Sequence, residues 1–127
     1  DLPIIGLLCN KKVPPYEPII VKLSAPKEEQ INGFWAKHPK GLIEVDSTGT
    51  GCLLVKREVF DKMERPYFKF EMSFTDNLFI SEDVYFLNEA RQHGYKVYVD
   101  TANRCVHLGP HGYGMEDFKK YTGGKYE

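Results

Sequence analysis

Residues 81–109 read SEDVYFLNEARQHGYKVYVDTANRCVHLG, and the reading of this stretch decides the fold. Ser81 suits a helix N-cap, because its hydroxyl can accept a bond from an orphan backbone N–H of the first turn. Glu82 and Asp83 then put negative charge at the positive end of the helix dipole. At helical spacing Asp83 shares a face with Phe86, Leu87 and Ala90, which predicts a carboxylate on the core-facing side. Such a group needs a partner, a metal or a catalytic task; the plainer alternative is a charge that only caps the helix. Gly94 ends the helix as a C′ glycine. Lys96 to Asp100 alternates as a strand, with Val97 and Val99 on one face. Arg104 to Leu108 is a further extended run, with Cys105 and His107 on one side. A helix led by an inward carboxylate and a strand ending in histidine are expected to form two walls of one site.

Working outward, 127 residues with 42% hydrophobic content suffice for one domain with a modest core. The net charge of -1 gives no reason to expect nucleic acid or an anionic membrane as a partner. No run of about 20 apolar residues is present, so no transmembrane segment is expected, and nothing resembles a signal peptide. The chain opens on Asp1 rather than Met, as a processed, trimmed or partial protein would. Cys9, Cys52 and Cys105 are odd in number and far apart. That pattern predicts free thiols in a reducing compartment, hence a cytoplasmic protein, with peripheral membrane association left open. Without a CxxC pair no structural zinc site is expected.

Leu2 to Cys9 reads as a buried strand and Ile19 to Leu23 as a short one, separated by a loop stiffened by Pro14, Pro15 and Pro18. Pro26 to Ile31 can start a short helix that Gly33 limits, and Trp35 is either a core or lid anchor or a ring stacked on a ligand such as a sugar. Leu42 to Val45 is a third strand. Gly49 and Gly51 precede the apolar strand Cys52 to Val55 instead of following one, which excludes a dinucleotide fingerprint. They are expected to let the backbone approach a ligand or another strand closely. Lys56 to Met63 reads as a short helix, Pro66 to Phe74 as an aromatic-rich run, Asp76 to Ile80 as a link, and Met115 to Tyr121 as a short helix in a tail from about residue 110. Thr122 to Glu127 is expected to fray.

Three of these pieces together resemble the C-terminal, acceptor-side half of a GT-A-type, family-2-like nucleotide-sugar glycosyltransferase. DLPIIGLLCNKKVPPYEP (1–18) is similar to the strand and Pro-rich loop after the family's metal-binding aspartate motif. TGTGCLLVKREVF (48–60) resembles the glycine-led strand and helix beside the sugar site. Ser81 to Phe86, with GYKVYVD (94–100) and VHLG (106–109), resembles the acidic helix start and the histidine strand. The resemblance implies an α/β (mixed) class: a partial GT-A-like fold, a mixed sheet flanked by helices, lacking the N-terminal nucleotide-binding half. The sheet is expected from strands near 3–8, 42–45, 52–55 and 96–100, with the helix of about 82–93 packed on it.

The resemblance also implies roles. Asp83 is the candidate general base for an acceptor hydroxyl, and Glu82 binds acceptor hydroxyls or orients Asp83. Gly49, Thr50 and Gly51 let the donor sugar approach, and Trp35 is a candidate substrate-binding ring. His107 is the candidate ligand for a divalent metal, Mn or Mg. The partners implied are a nucleotide-sugar donor and a hydroxyl-bearing acceptor. No Asp-x-Asp occurs in the chain, so catalysis by this chain alone is not implied. A half-fold should expose a sheet edge, and association through Leu2 to Leu8, as a homo-oligomer, is expected. The alternatives are a non-catalytic binding domain derived from that fold, and a metallohydrolase using Asp83, His107 and His111.

Overall fold

The computed structural model describes residues 1–126. In chain order it contains β1 (Ile4–Leu8), β2 (Ile20–Val21), a 3-10 turn (Lys27–Glu29), β3 (Gln30–Ile31), β4 (Phe34–Trp35), β5 (Leu42–Val45), β6 (Ser47–Thr48) and β7 (Leu53–Val55). Then follow α1 (Arg57–Lys62), β8 (Glu71–Ser73), β9 (Leu78–Ile80), α2 (Glu82–Gln92), β10 (Val97–Arg104) and α3 (Met115–Thr122). The class is mixed α/β, and the main sheet has the order β5-β10-β1-β7. β1 runs parallel to β10, while β7 and β5 pair antiparallel at the two edges. These are the four strands that the sequence pattern selects for the sheet.

The core forms where that sheet meets α2. Phe86, Leu87 and Ala90 recur on one helix face and are fully buried with Ile4, Leu8, Val45, Val97 and Val99. Burying a Phe or Leu side chain stabilises the fold by about 1.5–3 kcal/mol each, so this stripe fixes the helix on the sheet. Arg91 in the last turn of α2 pairs with Asp46 at 2.9 Å, which ties the C-terminal end of the helix to the chain between β5 and β6. Gly94 has φ +88° and ends the helix as its sequence position predicts.

Four expectations are corrected. β1 lies between β10 and β7, so the strand offers no free edge for association: Ile4 to Leu7 have partners on both sides. The apolar strand at Cys52 to Val55, whose composition suggests burial, is an edge strand with Leu54 74% exposed. The stretch from Pro66 to Ile80 contains a hairpin, β8 with β9, where the sequence suggests an irregular link. The tail is held: Phe118 of α3 is buried, Gly123 closes the helix at φ +61°, and Tyr126 packs against Phe118 at 5.9 Å. Glu127, the last residue of the expected frayed end, lies outside the described residues.

Candidate functional site

A cleft of about 260 Å³ opens at one end of the sheet, lined by Cys9, Ile19, Gly49, Thr50, Gly51, Glu82, Asp83 and His107. Three distant pieces of sequence converge there: the glycine segment between β6 and β7, the start of α2, and the chain after β10. Of the candidate site residues, Trp35 stays apart. It sits on β4, packs against the core, and donates its indole N–H to Glu29 Oε2 at 2.8 Å. This is the anchor alternative, with the ring's polar atom already satisfied.

Asp83 is half-buried at the cleft, not on the core-facing side, which Phe86, Leu87 and Ala90 occupy. Its short side chain folds back on the first helical turn, where Oδ1 accepts the Val84 N–H at 2.8 Å. Ser81 does not cap the helix with its side chain; its hydroxyl donates to Asp83 Oδ1 instead. The carboxylate is therefore held by two donors through one oxygen. An ionised carboxylate keeps acceptor capacity on the other oxygen, so capping and proton acceptance can coexist in one residue.

His107 lies beyond the end of β10, because the chain turns through Gly109 and Pro110 and pairs back on itself. His107 and Tyr113 exchange backbone bonds of 3.1 and 2.9 Å in an isolated bridge. The ring Nδ1 lies 2.5 Å from the Asn10 carbonyl oxygen. A carbonyl can only accept, so Nδ1 donates, and in the neutral ring that leaves Nε2 as the nitrogen with the lone pair. Metal-bound histidines are commonly oriented by such a bond. Yet among the described residues no group of three or more His, Cys, Asp or Glu side chains could hold a metal ion. The donors present do not make up a divalent-metal site. His111 bonds Asp117 Oδ1 at 2.8 Å on the surface and does not line the cleft, which removes the third member of the metallohydrolase set.

Gly51 has a structural reason to be glycine: a Cβ there would come 3.3 Å from Cys9 Sγ. At Gly49 a Cβ would make ordinary contact with Ile19. Cys9 and Ile19 belong to the cleft although the sequence reading does not single them out. The usable signal was position, since both flank the loop that follows β1, and ligands in open α/β sheets gather beyond strand C-termini. The Cys9 thiol is pushed up to about 12, first by burial and then by the neighbouring Cys105 thiol, so it is protonated at neutral pH.

No family model matches the chain, and no curated protein matches it. Among solved structures, the crystal structure of A197 from STIV is similar at a TM-score of 0.56 and 21% sequence identity. The match covers 85% of this chain and 44% of that chain, so the chain spans less than half the length of the structure it resembles. At this identity the likeness bears on the fold alone. No helix among the described residues is long and apolar enough to cross a membrane.

Proposed function

We propose that this chain is the acceptor-side part of a GT-A-type, family-2-like glycosyltransferase, which transfers a sugar from a nucleotide-sugar donor to an acceptor hydroxyl. The observation that carries the reading is the single cleft shared by Asp83, His107 and the Gly49-Thr50-Gly51 backbone. The resemblance in sequence names these residues in advance, and they meet although they are far apart along the chain.

In this reading the acceptor hydroxyl donates a hydrogen bond to the Asp83 carboxylate. As its oxygen attacks the anomeric carbon, the bond to the departing diphosphate breaks and the proton passes to Asp83. Glu82, on the same helical turn, binds neighbouring acceptor hydroxyls. The glycine segment lets the donor sugar lie against backbone. The resemblance implies a divalent metal, Mn or Mg, in the whole enzyme, with His107 as one ligand. The other ligands would have to come from outside the described residues, and Asp83's role as base does not depend on them.

The test is nucleoside diphosphate release by the protein at its natural length, across a panel of nucleotide sugars with simple glycosides as acceptors. Acceptor-dependent release that falls about a hundredfold or more in Asp83→Asn, with an unchanged circular dichroism spectrum, is expected. Absence of turnover with every donor, together with tight retention of a glycan, would favour the non-catalytic binding domain.

A further inference from the structure

The three cysteines are far apart in sequence but come together at one end of the main sheet. In the antiparallel pair β1/β7, Gly6 faces Leu53, so Leu7 faces Cys52, and the Leu7 N–H bonds the Cys52 carbonyl at 3.0 Å. Cys9 follows past the register shift between Leu7 and Leu8, and its Sγ lies against Gly51, the neighbour of Cys52. In the parallel pair β1/β10, Leu8 is partnered by Arg104, which brings Cys9 beside Cys105, and the Cys105 N–H bonds the Leu8 carbonyl at 2.7 Å. Burial first, and then the nearby Cys105 and Cys52, push the Cys9 thiol up, in accord with that placement. All three thiols are free, graded from buried Cys9 through half-buried Cys105 to exposed Cys52.

We propose that this cluster is a thiol–disulfide switch in which Cys105 is the hub and Cys9–Cys105 the bond that forms. The oxidant is a low-molecular-weight disulfide. The Cys105 thiolate attacks one of its sulfurs, forming a mixed disulfide and releasing one thiolate. The Cys9 sulfur then attacks Cys105 Sγ, its proton leaves to solvent, and the second small thiolate departs. Two protein thiols are oxidised and one small disulfide is reduced to two thiols. Neighbouring positions on adjacent strands lie within the Cα separation that a disulfide needs. The bond would fasten the chain bearing His107 to β1 beside Asn10, whose carbonyl already holds the His107 ring. The proposal does not depend on the sugar-transfer reading.

The reduced full-length protein is incubated with oxidised glutathione at pH 8, trapped with N-ethylmaleimide, digested, and mapped by mass spectrometry. The expected product links the Cys9 and Cys105 peptides, two hydrogens lighter, with Cys52 alkylated. Cys52→Ser should still give that link, and Cys105→Ser should not. A parallel reaction in denaturant serves as the folding control and should scramble the pairing. Glutathione adducts without an internal bond, a Cys9–Cys52 link in the native protein, or a Cys9–Cys105 link seen only in denaturant would each overturn the proposal.

Discussion

Leu8 and Cys9 are consecutive residues at one strand end, and they open onto different cavities. Leu8 lines the larger one, about 440 Å³, with Ala36, Met115 and Phe118 as apolar walls and Lys40 and Arg104 among its cations. Cys9 lines the cleft of about 260 Å³ that holds Glu82, Asp83 and His107. Strand alternation sends neighbouring side chains to opposite faces, so one strand end serves two chemically unlike spaces. The larger cavity includes His38, whose pKa is lowered mainly by burial and whose Nε2 is buried without a hydrogen-bond partner among the described residues. Among the described residues, none that lines it is a carboxylate. Size would assign function to the larger cavity. The proposed sugar transfer needs a proton acceptor, and that proposal places it in the smaller.

The comparison can be broken by disturbing each space separately. The largest expected effect is on the larger cavity: Phe118→Ala should cost about 3–5 kcal/mol in urea denaturation, because a buried aromatic is replaced by a void. If the two spaces are independent, turnover per folded molecule should not change. Next, His107→Ala should weaken donor binding tenfold or more in isothermal titration with metal present, as loss of a ligand does. Trp35→Phe should cost about 0.5–1.5 kcal/mol, the usual range for one lost hydrogen bond, here that to Glu29, with unaltered donor and acceptor KM values.

The smallest expected effect is a pH dependence. The folded pKa of His38 lies below the unfolded value of about 6.5, so the unfolded chain takes up the proton first as pH falls. Its contribution is fully present above about 6.5 and is lost as pH falls through the folded value. Asp117, lowered by the His111 hydrogen bond, and Asp100, lowered by Asn103, act with the same sign but in the carboxylate range. Urea midpoints measured against pH should therefore fall in two separate windows, and His38→Gln should remove only the upper one.

The sheet was legible because its strands are short apolar runs bounded by Pro and Gly, and α2 because Phe86, Leu87 and Ala90 recur at helical spacing ahead of Gly94. The meeting of Asp83, His107 and Gly49–Gly51 was legible through the order of motifs in a resemblance, not through any one residue. What escaped has physical reasons. The β8–β9 hairpin is rich in aromatics, which signal burial, yet Phe70 and Phe79 are 62% and 60% exposed and stack on each other at 5.4 Å. Asp83 falls on the core side of a helical wheel, but a wheel does not show a side chain folding back on its own first turn. The convergence of three cysteines needs strand register, which composition and spacing do not contain. The larger cavity depends on α3 closing over β1 and β10, a tertiary contact without a local pattern.

The central claim is that the small cleft, and not the large cavity, is the seat of sugar transfer. It is tested most directly by comparing Asp83→Asn with Arg104→Ala in one acceptor-dependent assay on the full-length protein. The account predicts that Asp83→Asn lowers kcat by about a hundredfold or more with little change in donor KM, because a nearly isosteric amide cannot take the proton. Arg104→Ala should leave kcat near the wild-type value. Full turnover in Asp83→Asn alongside a collapse of kcat in Arg104→Ala would contradict it.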